Sequence, residues 1–309
     1  MMKRLLTAAI AIAAAAISLS AQTTSADFKA RYETQVKRVG YDGLGVETLL
    51  NRWGEAFPED VDMLLGKFNL YLGQSVHTEV VTKEQERFMG EKPMLALKDS
   101  LGRTVNYFQE TFYDDSLFAL SAQAIDKAIK LNPDRMDLRF FKITSLLGYE
   151  KESPDMAATA LASLIDYNGT VHPSWKYGDE AAEKDLFETG IQEYCATLFS
   201  IGSPTSYEAF RSLSERMLKY SPDSPVFMTN LGSYYFVARK DNKTAAKYYN
   251  KVLKKEPDNY TAIKNMVLMS RKNKNVKQEK KYLEMLLKYS PDEIERQSAT
   301  VRLDAMNAK

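Results

Sequence analysis

Apolar residues recur along most of this chain at spacings of three and four, the stripe of an amphipathic helix. That spacing predicts helices over Asp27–Val39, Val46–Phe57, Val61–Leu72, Ser116–Leu131, Met136–Tyr149 and Met156–Tyr167. Two more are expected near residues 180–200 and 206–219, and others fill residues 225–291. A last helix over 292–307 carries more polar positions, as the exposed end of a helical stack requires. The count is about 13 helices, six pairs and a cap. Gly40-Tyr41-Asp42-Gly43-Leu44-Gly45 reads as a bend between the first two.

Residues 74–113 break this pattern, being too long for a loop between packed helices. Met94-Leu95-Ala96-Leu97 and Thr104-Val105-Asn106-Tyr107-Phe108 flank Lys98-Asp99-Ser100-Leu101-Gly102-Arg103. Two readings stand: a small β-hairpin near residues 93–110 with Gly102 in its turn, or a semi-ordered excursion.

The helices are punctuated at a fixed period. Met217-Leu218-Lys219-Tyr220-Ser221-Pro222-Asp223 nearly recurs as Leu286-Leu287-Lys288-Tyr289-Ser290-Pro291-Asp292. Val252-Leu253-Lys254-Lys255-Glu256-Pro257-Asp258 lies between them, and Ala128-Ile129-Lys130-Leu131-Asn132-Pro133-Asp134 has the same form upstream. Pro222, Pro257 and Pro291 stand 35 and 34 residues apart. Proline disfavours continuing a helix, and the Asp or Asn after it is expected to cap the next one. Short connections then make neighbouring helices antiparallel.

Met228, Leu231, Gly232, Tyr235, Ala245, Tyr249, Val252 and Pro257 form one unit of this repeat. Ile263, Asn265, Met266, Val267, Leu283, Leu286 and Pro291 belong to the next, which departs from its pattern at Ser270 and Glu279. In these residues the chain resembles the tetratricopeptide-repeat (TPR) family, most closely over 225–291. The resemblance implies an all-α fold, a right-handed α-solenoid of TPR helix pairs. It would occupy residues 22–309 as one domain, with 74–113 inserted and 292–307 as the cap. Gly232 would let two helices approach closely, and the departures at Ser270 and Glu279 imply looser packing there.

The first residues follow another logic. Lys3 and Arg4 precede a run rich in Ala and Ile from Leu5 to Ile17, and Ser18-Leu19-Ser20-Ala21 supplies small residues for cleavage. Residues 1–21 therefore read as a secretory signal peptide. A retained anchor is the alternative, although a helix of about 13 residues falls short of a hydrocarbon core about 30 Å thick. Nothing later reaches spanning length, and no cysteine follows the run to carry a lipid. The protein is expected to be exported, periplasmic or secreted.

Composition is that of a soluble protein with enough apolar residues for a core, 44% hydrophobic and 27% charged. The formal net charge of +1 hides an asymmetry: from Arg239 to Lys288 there are 15 Lys and Arg against 5 Asp and Glu. This basic stretch reads as a solvated face or as a docking site for an acidic protein or polysaccharide; export argues against nucleic acid.

Catalytic chemistry is not legible. Cys195, the one cysteine, lies at helical apolar spacing and reads as a buried thiol. His77 and His172, the two histidines, lack the spacing and companions of a metal site, so no metal and no cofactor are expected. Gly43-Leu44-Gly45 and Gly66-Lys67-Phe68 are not phosphate cradles, and Asp114-Asp115 precedes a helix as a cap would. The chain is not expected to be an enzyme.

Binding is easier to place. The resemblance implies a concave groove lined by the first helix of each pair. By register Val226, Thr229, Ser233, Phe236 and Val237 would line one stretch, and Thr261, Lys264, Leu268, Arg271 and Lys272 the next. An ordinary solvated face is the competing reading of each. The family's capture of a terminal carboxylate needs Asn where Ser233 and Leu268 stand, so that mode is not expected. The function implied is a scaffold binding a protein or peptide. The alternative is a carbohydrate or small-ligand binder using Trp175, Tyr177, Tyr107 and Phe108 in irregular segments.

Overall fold

The structure, a computed structural model, describes residues 23–308; the leader expected at residues 1–21 lies outside the described residues. Among the described residues there are 13 helices and a few small strands, and the fold class is all-α with repeat-like helix packing, that of an α-solenoid. The chain divides into two compact units.

The first unit comprises the described residues up to Val76 together with Tyr113–Pro133. It holds α1 (Ser25–Val39), α2 (Val46–Ala56), α3 (Val61–Ser75) and α4 (Asp115–Leu131). Short polar side chains start three of these helices. Thr24 and Asp27 form a reciprocal capping box, Asp60 accepts from the N–H groups of Asp62 and Met63, and Asp114 accepts from that of Leu117. The bend after α1 turns on Gly40 and Gly45, both at φ 85°, where a side chain would be strained. Trp53 anchors the core: fully buried, it lies parallel to the Phe28 ring at 6.2 Å and donates its Nε1–H to Ser25 Oγ.

The second unit comprises His77–Phe112 and the residues from Asp134 onward. A three-stranded sheet of order β1-β3-β2 is built from β1 (Val76–Lys83), β2 (Leu95–Lys98) and β3 (Thr104–Tyr113). The hairpin reading of residues 93–110 holds. β2 and β3 run antiparallel from Leu95↔Tyr107 to Lys98↔Thr104, with Gly102 at φ 78° in the turn. Asp99 closes that turn by accepting from the N–H groups of Leu101 and Arg103. The strand β1 is an addition to the expected hairpin.

Nine helices follow: α5 (Met136–Glu150), α6 (Asp155–Val171), α7 (Leu186–Ile201), α8 (Pro204–Tyr220), α9 (Pro225–Val237), α10 (Asn242–Lys255), α11 (Tyr260–Lys272), α12 (Val276–Tyr289) and α13 (Glu293–Asn307). The helix expected near 180–200 starts only at Leu186. Lys176–Tyr177 (β4) and Glu180–Ala181 (β5) pair first, around Gly178 at φ 63°.

The repeat prolines stop helices as expected, but their Asp neighbours cap unevenly. Asp292 caps α13, and Asn259 caps α11. Asp134 instead pairs with Lys176, and Asp223 with Lys255, leaving α5 and α9 without side-chain caps. The long lysine side chains reach both carboxylates and compete with the backbone for them. Gly232 has the close approach expected of it: a Cβ there would lie 2.5 Å from the ring of Tyr249, itself fully buried.

Candidate partner-binding face

The first helices of successive pairs in this unit, α5, α7, α9, α11 and α13, are joined side by side through polar contacts. Thr144 of α5 meets the Tyr194 hydroxyl of α7 at 2.9 Å. The amides of Gln192 on α7 and Asn230 on α9 bond reciprocally at 2.7 and 3.3 Å. Asn265 of α11 donates to Ser233 of α9 at 3.3 Å, and Lys264 of α11 pairs with Glu295 of α13 at 3.0 Å. The second helices make their own row: Arg216 and Tyr220 of α8 bind Asp166 of α6, and Tyr282 of α12 donates to Asn250 of α10. From α7 to α11 the side chains at these positions, Gln192, Asn230, Ser233 and Asn265, are small or amides and let neighbouring first helices touch, while residues one step round each helix remain in solvent.

Most of the predicted groove residues stand on that solvent face. Val226, Val237 and Leu268 are apolar and exposed, at 36%, 39% and 45%, and Thr261, Lys264, Arg271 and Lys272 are exposed beside them. Ser233 is half-buried and spent on the Thr229 carbonyl and Asn265. Two residues require correction. Thr229 and Phe236 are buried, because α9 is apolar almost all round and packs on more than one neighbour. Lys272 lies over the Phe236 ring at 5.1 Å and covers what remains of it.

Two pockets open on this face. One, of about 260 Å³, is floored by Val267, Leu283 and Leu286 and rimmed by Lys264, Arg271, Glu295 and Arg302. Its two arginines are held in place by Glu279, whose side chain is only 3% exposed. Arg271 donates its Nε–H to Glu279 Oε1 at 2.9 Å, and Arg302 grips both oxygens at 2.9 and 3.2 Å. The hydrogen bond from Arg302, joined by that from Arg271, overcomes burial and holds the Glu279 carboxyl below its usual range. Burial would raise Glu295, but hydrogen bonds from Tyr260, Ser290 and Lys264 outweigh it and lower that carboxyl too. Glu279 was expected to loosen the packing; it is instead a buried anchor for two guanidinium groups.

The other pocket, of about 720 Å³, lies between α7 and α9 and includes Lys184, Asp185, Glu188, Gln192, Glu193 and Val226. Ser224 donates to Glu188 there at 2.6 Å. The α7 and α13 residues of both pockets escaped the sequence reading, although a signal for the second set existed. Advanced by the 34 residues between Pro257 and Pro291, Thr261, Lys264 and Leu268 land on Glu295, Ser298 and Arg302, and all three line the smaller pocket.

The alternative ligand residues are not gathered into a site. Trp175 lies parallel to Phe187 at 6.1 Å and donates to Asn168, so both ring and N–H serve the fold. Phe108 is buried against Phe88, leaving no free face for a sugar. Tyr107 is half-buried on β3, and Tyr177 is exposed on β4. His77 stacks on Phe112, and His172 ends α6 in the left-handed region. Cys195 is fully buried, which pushes its thiol up to about 12. Among the described residues, no helix is long and apolar enough to cross a membrane.

Comparison with known proteins finds a likeness to a helical repeat domain over the C-terminal part of the chain. A family model described as the TT21 fifth ARM repeats domain matches residues 225–301. Among solved structures, a monomeric mutant of IFIT1 with m7Gppp-AAAA is similar, at 10% sequence identity and a TM-score of 0.35. The similarity covers 89% of this chain and 52% of that one, so this chain spans about half its length. No curated protein matches it.

Proposed function

We propose that this protein is an exported scaffold of the TPR type, not an enzyme, that holds a segment of a protein partner on the face formed by α7, α9, α11 and α13. The observation that carries the reading is that face itself: two charged pockets, one edged by exposed Val226 and the other by exposed Leu268, with Val237 also exposed on α9. Apolar side chains kept in solvent beside preformed charges suit a partner that covers the first and pairs the second. The TPR assignment is supported by the 34–35-residue proline period and by Gly232 packed against Tyr249. Export is supported by the Lys3-Arg4 start, the apolar run and the small residues before Gln22; mass spectrometry of the protein from its native cells should find an N-terminus close to residue 22.

The binding assignment is tested by affinity purification of the full chain from its native envelope. Val226→Glu with Leu268→Glu should abolish recovery of the specific partner while the helical circular dichroism stays unchanged. Undiminished recovery by a folded variant would contradict it.

A further inference from the structure

The face proposed above as the partner site is not uniform in charge, and its order of charges specifies the segment it accepts. At the α7 end, Asp185, Glu188 and Glu193 face Lys184 alone. At the α11–α13 end, Lys264, Arg271 and Arg302 outnumber Glu295 on the pocket rim. Exposed apolar residues edge the two pockets, Val226 of α9 the acidic one and Leu268 of α11 the basic one, and half-buried, neutral Ser233 lies on α9 between the two ends.

The basic end is also pre-organised. Glu279 uses the Nε–H of Arg271 and binds Arg302 through two nitrogens, yet both guanidinium groups remain about half exposed, at 49% and 46%. A guanidinium fixed on one edge presents its remaining N–H groups to an incoming carboxylate at little entropic cost. Lys264 is less available, because Glu295 and Tyr260 already engage it.

We propose that this face takes an extended partner segment of segregated charge, with its basic residues over α7, apolar residues over α9, and its carboxylates on Arg271 and Arg302. Glu279 is a positioning residue for that last contact. Packed helices lie about 8–10 Å apart, so α7 and the α11–α13 pocket are separated by about 20–30 Å. An extended chain rising about 3.3 Å per residue bridges that distance in roughly six to nine residues. Polyanions such as nucleic acid do not fit, since the acidic α7 end would repel them along one half of the path.

The proposal rests on the partner-binding reading of this face, and a library selection separates the two. A display library of random twelve-residue peptides is panned on the full chain, and the enriched peptides are measured by fluorescence anisotropy. The expected result is Lys or Arg at one end and Asp or Glu at the other, always in the same chain direction. Arg271→Gln should weaken such a peptide by at least about tenfold, the scale of one lost charge-assisted hydrogen bond. This variant leaves Arg302 on Glu279, so the fold should persist. Asp185→Lys with Glu193→Lys should weaken it comparably, and high salt should weaken all of them. Enriched peptides without segregated charge, or with affinity unmoved by both variants, would overturn the proposal alone. Binding equally unmoved by Val226→Glu with Leu268→Glu, or no enrichment at all, would overturn the partner-binding reading as well.

Discussion

The repeats over residues 225–291 and the sheet within residues 77–112 belong to one compact unit, yet different arrangements hold them. In the repeats, every helix buries a stripe: Phe227, Met228 and Leu231 on α9, Tyr249 and Val252 on α10, Ile263 and Met266 on α11. Each element is covered from both sides by its neighbours. The sheet is a single layer with one covered face. His77 and Lys83 of β1 meet Phe112 and Glu110 of β3, so the odd residues of β1 share the inner face with the even residues of β3. On that face Asn106 donates to the carbonyls of Glu84 and Gln85, Phe108 packs on Phe88, and Glu110 is bracketed by Lys83 and Lys151. Its other face stays in solvent, with Val80 at 61% and Leu95 and Leu97 at 48%. The repeats are therefore held by redundant apolar packing, and the sheet by a few contacts that include the two ion pairs of Glu110.

The contrast is sharpest in core truncation. Leu231→Ala should cost about 2–5 kcal/mol, felt by α10 and α11 as well as α9, because stacked repeats share their interfaces. Phe108→Ala should cost a similar amount but be felt locally. Hydrogen exchange would show fast amides spreading through the repeats in the first variant and confined to the sheet and residues 84–91 in the second.

Gly232→Ala comes next. The added methyl gains helix propensity, but it would sit 2.5 Å from an immobile Tyr249 ring, so overpacking should win by about 1–3 kcal/mol in thermal unfolding. Glu279→Gln and Glu110→Gln should each cost about 1–3 kcal/mol. Both carboxyls are held below their ordinary range: Arg302 and then Arg271 do this for Glu279, while Lys151 and Lys83 overcome burial for Glu110. A depressed folded value means their contribution is complete above the unfolded carboxylate range and is lost as pH falls through the folded value. Acidification from pH 7 to below about 4 should therefore loosen both regions, and each Gln variant should remove that sensitivity only where it lies. The smallest effect belongs to Val80→Lys, within about 0.5 kcal/mol on the open face of the sheet.

Much of the fold could be read from residue spacing because a repeat states the same instruction several times. Leu231, Gly232, Tyr249 and Val252 sit where period and proline spacing put them. The hairpin was legible through Gly102 and its flanking apolar runs, whereas β1 was not. Val76-His77-Thr78-Glu79-Val80-Val81-Thr82-Lys83 mixes polar and apolar residues on both faces, because it covers only a small layer. The candidate face was half legible. Register found α9 and α11 but could not show that α9 is buried nearly all round, which removes Thr229 and Phe236 from solvent. Nor could it show that Glu279 meets Arg302, 23 residues later in the chain and on another helix. Such pairings depend on how side chains reach across helices, and local patterning does not encode that.

The central claim is that the first-helix face of the second unit holds a partner segment. Hydrogen–deuterium exchange of the full chain, alone and saturated with a peptide selected on it, tests this most directly. Protection should appear on α7, α9, α11 and α13, strongest where their amides lie nearest the two pockets, with α8, α10 and α12 little changed. Protection confined to those second helices, or to the sheet within residues 77–112, would contradict the account.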